Sequence, residues 1–285
     1  MRFFIAPSFV TGECERKDIT NKMKAYLNRF DGNKDDIFTR LIEKEVEGVH
    51  AVYIDALAYR ALDPEFGAGI EIELENVKSW MADYRHSEFW CKPAFGTNLA
   101  EIPDETQGLI YEKEDGTFGV ILPVVSEKYK CVLKGETNEE GKEVVLAKLF
   151  SWFEGMSDCK GLAFLYAEGE NPYAMMEKCA EVGLKLLGTG YRTRKERRYP
   201  EMFEYLGWCS WDAFEIRVDE DSLLAKCKEF EEKNIPVKWA IIDDMWGEVK
   251  DFYGQEYANR KEMIRLMHCS KLYSFQADPI RFPNG

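Results

Sequence analysis

Between residues 51 and 169 the chain repeats short apolar segments separated by charged and turn-forming residues. These segments read AVYIDALAY, GIEIELENV, FWCKPAF, GLIYEKEDGTFGVILPVV, EKYKCVL, VVLAKLF and GLAFLYAEG. Several of them alternate apolar and polar positions with a period of two, which is typical of strands that bury one face. The pattern predicts an N-terminal antiparallel β-sandwich domain over residues 1–170.

Local signals within this domain are uneven. Asp115-Gly116 lies between two apolar runs, and a residue pair that tolerates positive φ at this place predicts a tight hairpin. Before residue 45 the pattern predicts an opening strand at RFFIA, residues 2–6, and a helix-like stretch near residues 19–30.

The hydrophobic period changes at Asn171-Pro172. Asn is a favourable helix cap, Pro suits the first helical position, and apolar residues then recur at helical spacing. These residues are Met175, Met176, Cys179, Val182 and Leu186. Residues 171–202 are therefore predicted to be a connecting helix and a linker, with the apolar stripe of the helix packed on a neighbouring domain.

From residue 203 onward, strand and helix signals alternate. EYLGWCSW predicts a strand, residues 220–233 a helix capped by Asp219, and VKWAII a second strand. The second strand is almost continuously apolar, as in a parallel strand covered on both faces. Periodicity alone allows a TIM barrel or a doubly wound sheet. The fold class is thus multidomain, β plus α/β.

Composition and charge mainly exclude functions. A chain of 285 residues with 45% hydrophobic residues can bury a substantial core. Its formal charge of -14 argues against nucleic acid and anionic membranes as partners, because both attract Lys-rich and Arg-rich surfaces. No apolar run suits a secretory signal or a spanning helix, so a cytoplasmic location is predicted.

Cysteine and histidine positions give no sign of a metal or redox site. The eight cysteines include no C-x-x-C pair, and the three histidines lack the short mutual spacings of metal ligands. The sequence therefore predicts reduced thiols, no metal and no cofactor.

Two carboxylates and an indole directly follow the apolar second strand. Asp243, Asp244 and Trp246 stand where parallel strands present groups that contact ligands, and Trp211 holds the corresponding place after the first strand. Carboxylates can accept hydrogen bonds from sugar hydroxyls, while an indole face covers apolar C–H surface. The alternative makes Asp243 and Asp244 a polar turn that caps a following helix, with Trp246 as packing over the barrel mouth.

The segments LGWCSWDAF, WAIIDDMWG and ADPIRFPNG follow one another in this order after IPDETQGLIYEKEDGTFGVILPVV, which contains a Glu-Thr-Gln triplet. Together they resemble family 36 glycoside hydrolases, particularly the raffinose-synthase and alkaline α-galactosidase branch. The resemblance covers residues 89–285 and spans both predicted domains. It implies a β-sandwich packed against a (β/α)8 barrel.

The resemblance also implies a role for each candidate residue. Asp243 and Asp244 match the pair that binds hydroxyls of a terminal galactose, and Trp211 and Trp246 are implied to shape that pocket. Met245 and Gly247 depart from the Asp-Asp-Gly-Trp-Gln form of the plant enzymes. This departure bears on substrate choice more than on fold.

The catalytic aspartates that the resemblance implies belong to later barrel strands, so no catalytic residue is assigned here. A full barrel needs about 250 residues, and residues 203–285 are therefore expected to be an incomplete, truncated barrel start. The leading hypothesis is an α-galactoside-processing protein that binds galactose-containing oligosaccharides. The alternative is a non-catalytic carbohydrate-binding or interaction module, and either could self-associate through the exposed barrel edge.

Overall fold

The computed structural model describes residues 23–28, 36–87, 90–151, 153–250, 259, 261–262, 265 and 271–285. The chain divides into two compact units, Met1–Glu196 and Arg197–Gly285. The opening strand predicted at residues 2–6 lies outside the described residues.

Over its described residues, the first unit is built from eleven antiparallel strands. They are β1 (Met23–Leu27), β2 (Asp36–Val46), β3 (Val49–Ala58), β4 (Ala68–Ile72), β5 (Val77–Arg85), β6 (Cys91–Gly96), β7 (Thr106–Lys113), β8 (Phe118–Pro123), β9 (Lys130–Thr137), β10 (Glu143–Phe150) and β11 (Asp158–Gly169). The strand order is β1-β4-β10-β9-β7-β8-β11-β3-β2, with β5 paired to β7 and β6 paired to β5. The predicted antiparallel β structure is confirmed, but the strands form one continuous sheet rather than the two separate sheets of the predicted sandwich.

The sheet is nearly closed, since its end strands β1 and β2 approach each other. Within this sheet, strands β7 and β9 are paired through one residue pair, Thr106 and Leu133. Thr106, from the Glu-Thr-Gln triplet, is fully buried and its hydroxyl donates to the Pro103 carbonyl over 2.7 Å. A common hydrophobic core fills the interior, and Leu109, Leu133 and Phe164 within it are 0% exposed.

The hairpin predicted at Asp115-Gly116 is confirmed between β7 and β8. Gly116 has φ +83, and its N–H donates to the Lys113 carbonyl over 3.0 Å. The Asp115 carboxylate accepts from the Thr117 backbone N–H over 2.9 Å. Hydrogen bonds from Thr117 also lower the pKa of Asp115, so the carboxylate form stabilises this turn.

The helix-like stretch predicted near residues 19–30 is wrong where the structure describes it. Met23–Leu27 forms strand β1, paired with β4 from Met23–Ile72 to Leu27–Ala68. Lys, Met, Ala and Leu favour helices locally, but here the backbone hydrogen bonds go to β4 and Leu27 reaches the core at 1% exposure.

Helix α1 (Pro172–Leu187) begins as predicted. The Asn171 side chain caps it by accepting from the Ala174 N–H over 3.1 Å, and Gly188 ends it at φ +63. Cys179 and Val182 are fully buried in a second apolar cluster with Leu165 of β11. The predicted apolar stripe therefore packs on the sheet of the helix's own unit.

The second unit contains a parallel strand pair joined through a helix. Its elements are β12 (Gly207–Cys209), α2 (Trp211–Phe214), α3 (Glu220–Glu232), β13 (Trp239–Ile241), β14 (Gly247–Lys250) and β15 (Lys271–Ala277). Strands β12 and β13 pair in parallel, from Gly207–Trp239 to Cys209–Ile241. A Cβ on Gly207 would stand 2.1 Å from the Trp239 ring, so this close approach requires glycine. The predicted β-α-β unit is confirmed, while the antiparallel pair β14–β15 had not been expected.

Helix α3 carries the predicted cap and an apolar stripe that is only partly covered, by the contact of Phe230 with Trp208. The Asp219 carboxylate accepts from the Ser222 N–H over 2.8 Å. No residue of α3 is buried, and Leu224 is 61% exposed. Strand β13 was predicted to be covered on both faces, but Ile241 is 47% exposed. Within the part of the chain that the structure describes, no helix is long and apolar enough to cross a membrane.

Candidate functional site

The candidate site lies where β12 and β13 end. Because Cys209 and Ile241 are partners in a parallel register, the chain leaves both strands at the same edge of the pair. Ser210 and Trp211 follow β12, and Asp243 follows β13 after one further residue. The two predicted groups of site residues therefore start from neighbouring positions.

Ser210 joins the two strand ends. Its backbone N–H donates to the Ile241 carbonyl over 3.0 Å, and its hydroxyl oxygen accepts from the Asp243 backbone N–H over 2.9 Å. The residue is fully buried. Sequence reasoning did not assign Ser210 a role, and only its place directly after a strand could have drawn attention to it.

The Asp243 carboxylate is held from two sides. Its Oδ2 accepts from the Cys209 thiol over 3.1 Å, and its Oδ1 accepts from the Asp244 backbone N–H over 2.7 Å. A hydrogen bond with the Trp211 backbone lowers the pKa of Cys209. The hydrogen bond to Asp243 and a small loss of solvation raise it by more, so the net shift of this pKa is upward. The thiol therefore stays protonated at neutral pH and can donate. A carboxylate offers about four acceptor positions, so Asp243 retains capacity for a ligand.

Asp244 is exposed and lies at a turn. Its Oδ1 accepts from the Met245 backbone N–H over 2.7 Å, while Met245 has φ +71 and is 3% exposed. The polar-turn alternative is correct to this extent. Its helix-capping part is wrong, because strand β14 follows rather than a helix.

The two tryptophans lie in different local settings. Trp211 is the first residue of the short helix α2 and is partly buried. Trp246 is also partly buried, and its ring meets Phe275 edge to face at 5.7 Å between centroids. Trp211 is thus tied through Ser210 to Asp243, whereas Trp246 is positioned by packing on β15.

A buried polar group supports Trp246 from the C-terminal segment. The Asp278 backbone N–H donates to the Trp246 carbonyl over 3.0 Å, and its fully buried carboxylate accepts from the Ile280 and Arg281 N–H groups, each over 2.9 Å. The Arg281 carbonyl accepts from the Glu220 N–H over 2.9 Å. This network ties the segment to the start of α3.

Arg281 brings positive charge toward the site. Burial lowers the pKa of Arg281, while the carboxylates of Asp278, Asp219 and Asp244 raise it. The guanidinium remains charged at neutral pH. Sequence reasoning quoted this segment without assigning Asp278 or Arg281 a role, since their contacts depend on the fold.

Among the residues described by the structure, no group of three or more His, Cys, Asp or Glu side chains is placed to hold a metal ion. The chemistry that this arrangement offers is hydrogen bonding to carboxylates whose direction is fixed by backbone contacts.

Comparison with known proteins relates the chain to plant galactosyltransferases. Residues 69–277 match the model of the family described as raffinose synthase or seed imbibition protein Sip1. A probable galactinol–sucrose galactosyltransferase 1 from Arabidopsis thaliana is 30% identical over 226 residues, which are 72% of this chain and 28% of that protein. Stachyose synthase from Pisum sativum is 25% identical over 224 residues, which are 74% of this chain and 26% of that protein.

Among solved structures, the α-galactosidase TtGalA from Thermus thermophilus in complex with stachyose matches with a TM-score of 0.38 and 15% identity. The match covers 74% of this chain and 44% of that one. The chain spans about a quarter of the length of the curated relatives it matches.

Proposed function

The chain belongs to the raffinose synthase or seed imbibition protein Sip1 family, and from this premise we propose that its second unit holds one side of a galactose-binding pocket. In this proposal Asp243 and Asp244 accept hydrogen bonds from galactosyl hydroxyls, while Trp211 and Trp246 cover apolar faces of the sugar. The substrate class is a galactose-containing oligosaccharide.

The observation that carries this proposal is the bridge between the strand ends. Ser210 bonds to the backbone of both Ile241 and Asp243, so the groups that follow β12 and β13 are held together by buried contacts. A binding site needs groups that are already positioned, because ordering them on binding would cost affinity. The Cys209 thiol adds a second restraint on Asp243.

The residue chemistry suits a sugar. Asp243 is partly buried and Asp244 is exposed, so both carboxylates can be reached from solvent while their backbone contacts fix their direction. Hydrogen bonds to a charged acceptor are about twice as strong as neutral ones. An indole beside them can exclude water and cover C–H groups of the ring.

The parallel pair β12–β13 with its intervening helix supports a second proposal, that this unit begins a (β/α)8 barrel. In such barrels the functional groups stand at the carboxyl ends of the strands, where Asp243 and Trp211 stand here. The matched relatives are named galactosyltransferases and a stachyose synthase. These names favour an enzyme part over a non-catalytic interaction module.

We assign Asp243 and Asp244 to binding rather than to bond cleavage. A retaining glycosidase places its two carboxyl groups about 5 to 5.5 Å apart across the scissile bond. Asp243 and Asp244 are instead adjacent in sequence, and each accepts a bond from the backbone of the next residue. Their role in the proposal is to hold the sugar.

The test is a titration of the purified chain with D-galactose, in which binding is monitored through the NMR chemical shifts of the tryptophan indole groups. Asp243→Asn and Asp244→Asn should each weaken binding by about tenfold, because each removes a charge-assisted hydrogen bond. Asp221→Asn is the matched control. It also removes one carboxylate, but from the exposed first turn of α3, and should leave binding unchanged.

Two results would contradict the proposal. Galactose that shifts no indole signal at saturating concentration would leave the pocket without support. Turnover of an aryl α-galactoside that Asp243→Ala abolishes, while D-galactose still binds to that variant, would show that Asp243 acts in catalysis instead.

A further inference from the structure

A cavity of about 370 Å³ opens in the first unit. It lies between β1 and β2, the end strands of the nearly closed sheet, and β4, β7, β8 and β11 complete its wall. The mouths of closed β-sheets are a frequent place for small-ligand sites, and ligand pockets usually start at about 300 Å³. The space therefore suits a small molecule of one or two rings.

The floor of the cavity is apolar and rigid. Ile72 is 2% exposed, Ile121 1% and Phe164 0%, and all three belong to the main core. The ring of Tyr111, 2% exposed, extends this surface toward the rim. Because these side chains have almost no accessible surface, contact with the C–H groups of a ligand falls to the partly buried lining side chains Met23 and Leu74.

The rim presents carboxylates that are already oriented. The Tyr166 hydroxyl donates to Glu43 Oε1 over 2.7 Å, and the Tyr111 hydroxyl donates to Glu168 Oε1 over 3.1 Å. Burial is the main cause that raises the pKa of both tyrosines, so their hydroxyls stay protonated and continue to donate. Each carboxylate thus keeps a fixed direction without a ligand.

Cations already satisfy part of the negative charge at the rim. Lys113 Nζ lies 2.5 Å from Glu168 Oε2, and Lys142 Nζ lies 3.1 Å from Glu73 Oε1. An organic cation would have to compete with these lysines. A hydroxyl can instead use the remaining acceptor positions of each carboxylate and leave the ion pairs in place.

From the apolar lining, the oriented acceptors and the lysine pairs of Glu73 and Glu168, we propose that this cavity binds a neutral polyhydroxylated ligand, namely a monosaccharide or disaccharide unit. The C–H face of the sugar packs on Met23 and Leu74, above the buried core, and its hydroxyls donate to Glu43 and Glu168. The proposal concerns the first unit alone. It does not depend on Asp243 or on the function proposed for the second unit.

The experiment titrates sucrose and D-galactose into the full chain with labelled isoleucine methyl groups. The signals of Ile72 and Ile121 report the cavity floor, while Ile241 reports the second unit. Saturable shifts of Ile72 and Ile121 are expected with at least one sugar. These shifts should persist in Asp243→Asn, which separates this site from the one proposed in the second unit.

Glu43→Gln and Glu168→Gln test the rim. Each keeps the shape of the side chain but removes a charged acceptor, and each should weaken sugar binding at the floor about tenfold. The matched control is Glu112→Gln, on β7 of the same unit. Glu112 pairs with Lys78 at 2.8 Å and does not line the cavity, so its substitution should leave binding unchanged.

Three results would overturn the proposal. The first is the absence of saturable shifts at Ile72 and Ile121 with both sugars in a folded sample. The second is sugar binding at these methyl groups that neither Glu43→Gln nor Glu168→Gln weakens. The third is saturable binding of tetramethylammonium chloride without sugar binding, which would identify a cation site.

Discussion

Strands β9 and β13 contain similarly apolar segments, yet only one of them is buried. Cys131, Val132 and Leu133 of β9 are between 0% and 3% exposed, although consecutive residues point to opposite faces of the sheet. Trp239–Ile241 of β13 is partly buried or exposed throughout. An apolar run therefore shows that a strand is able to be buried. Whether the strand is buried depends on whether other helices or strands of the chain pack on its faces.

The same contrast holds for the two longer helices. Helix α1 buries Cys179 and Val182 against the sheet of the first unit. Helix α3 has a comparable apolar stripe, but it buries no residue and leaves Leu224 61% exposed. The first unit thus has a large closed core, whereas the second has a few buried apolar side chains, such as Val218 and Met245, beside the polar contacts of Ser210 and Asp278.

A pair of identical substitutions gives the largest expected difference. Leu133→Ala removes a fully buried side chain and should lower the free energy of unfolding by about 2 to 5 kcal/mol. Leu224→Ala changes an exposed helix position and should stay within about 0.5 kcal/mol. Urea unfolding of both variants measures this. A cost at Leu224 close to that at Leu133 would mean that the α3 stripe is covered in solution, and the comparison would fail.

Amide hydrogen exchange should separate the two strands by a smaller margin. Among the described residues β13 pairs only with β12, whereas β9 pairs with β10 along its length and touches β7. Amides of β13 should therefore show roughly hundredfold lower protection than those of β9.

A dilution series supplies the control for self-association. An unpaired strand edge can pair with a second copy of the chain. Protection of β13 that falls on dilution would indicate such pairing through this edge. Equal protection of β13 and β9 in a demonstrated monomer would rule out the proposed barrel start.

The smallest effect concerns ion pairs on the surface of the first unit. Hydrogen bonds from Lys178 and Lys185 lower the pKa of Glu47 to about 2. Since this folded-state pKa lies below the usual glutamate value of about 4.3, the stabilisation is present above that value and is lost as pH falls toward 2. Because Glu47 is exposed, solvent screening keeps the effect small.

Glu47→Gln should therefore flatten the acid side of the stability profile slightly, measured by urea midpoints at pH 6 and pH 3.5. Glu127→Gln, on an exposed connection, is the control and should leave the profile as it is. A flattening that persists in high salt would argue against an ion-pair origin, because screening weakens such pairs.

Sequence reasoning predicted the elements whose signals are local. The Asp115-Gly116 hairpin, the Asn171 cap and the Asp219 cap each depend on a few neighbouring residues, and each is confirmed. Strand β1 was predicted wrongly because its partner β4 lies more than 40 residues away in sequence. Strand β2 was missed because its charged residues obscure the alternation.

The candidate site was predictable in position but not in detail. The parallel register of β12 and β13 brings Trp211 and Asp243 to neighbouring strand ends, as the β-α-β pattern predicted. The roles of Ser210 and Asp278 could not be predicted, because a buried hydroxyl or carboxylate gains meaning only from partners that the fold supplies. Asp243 and Asp244 as galactose ligands remain a prediction.

The pairing of β3 with β11 has a consequence for synthesis of the chain. Val52 is the register partner of Phe164, so the hairpin of β2 and β3 is made long before one of its neighbours exists. At ribosomal speeds of about 5 to 20 residues per second, the interval is roughly 6 to 22 seconds. During that time the inner edge of β3 has no native partner. A nascent chain of this kind gains from a chaperone that occupies the edge until β11 emerges, and mistimed release would favour aggregation over folding.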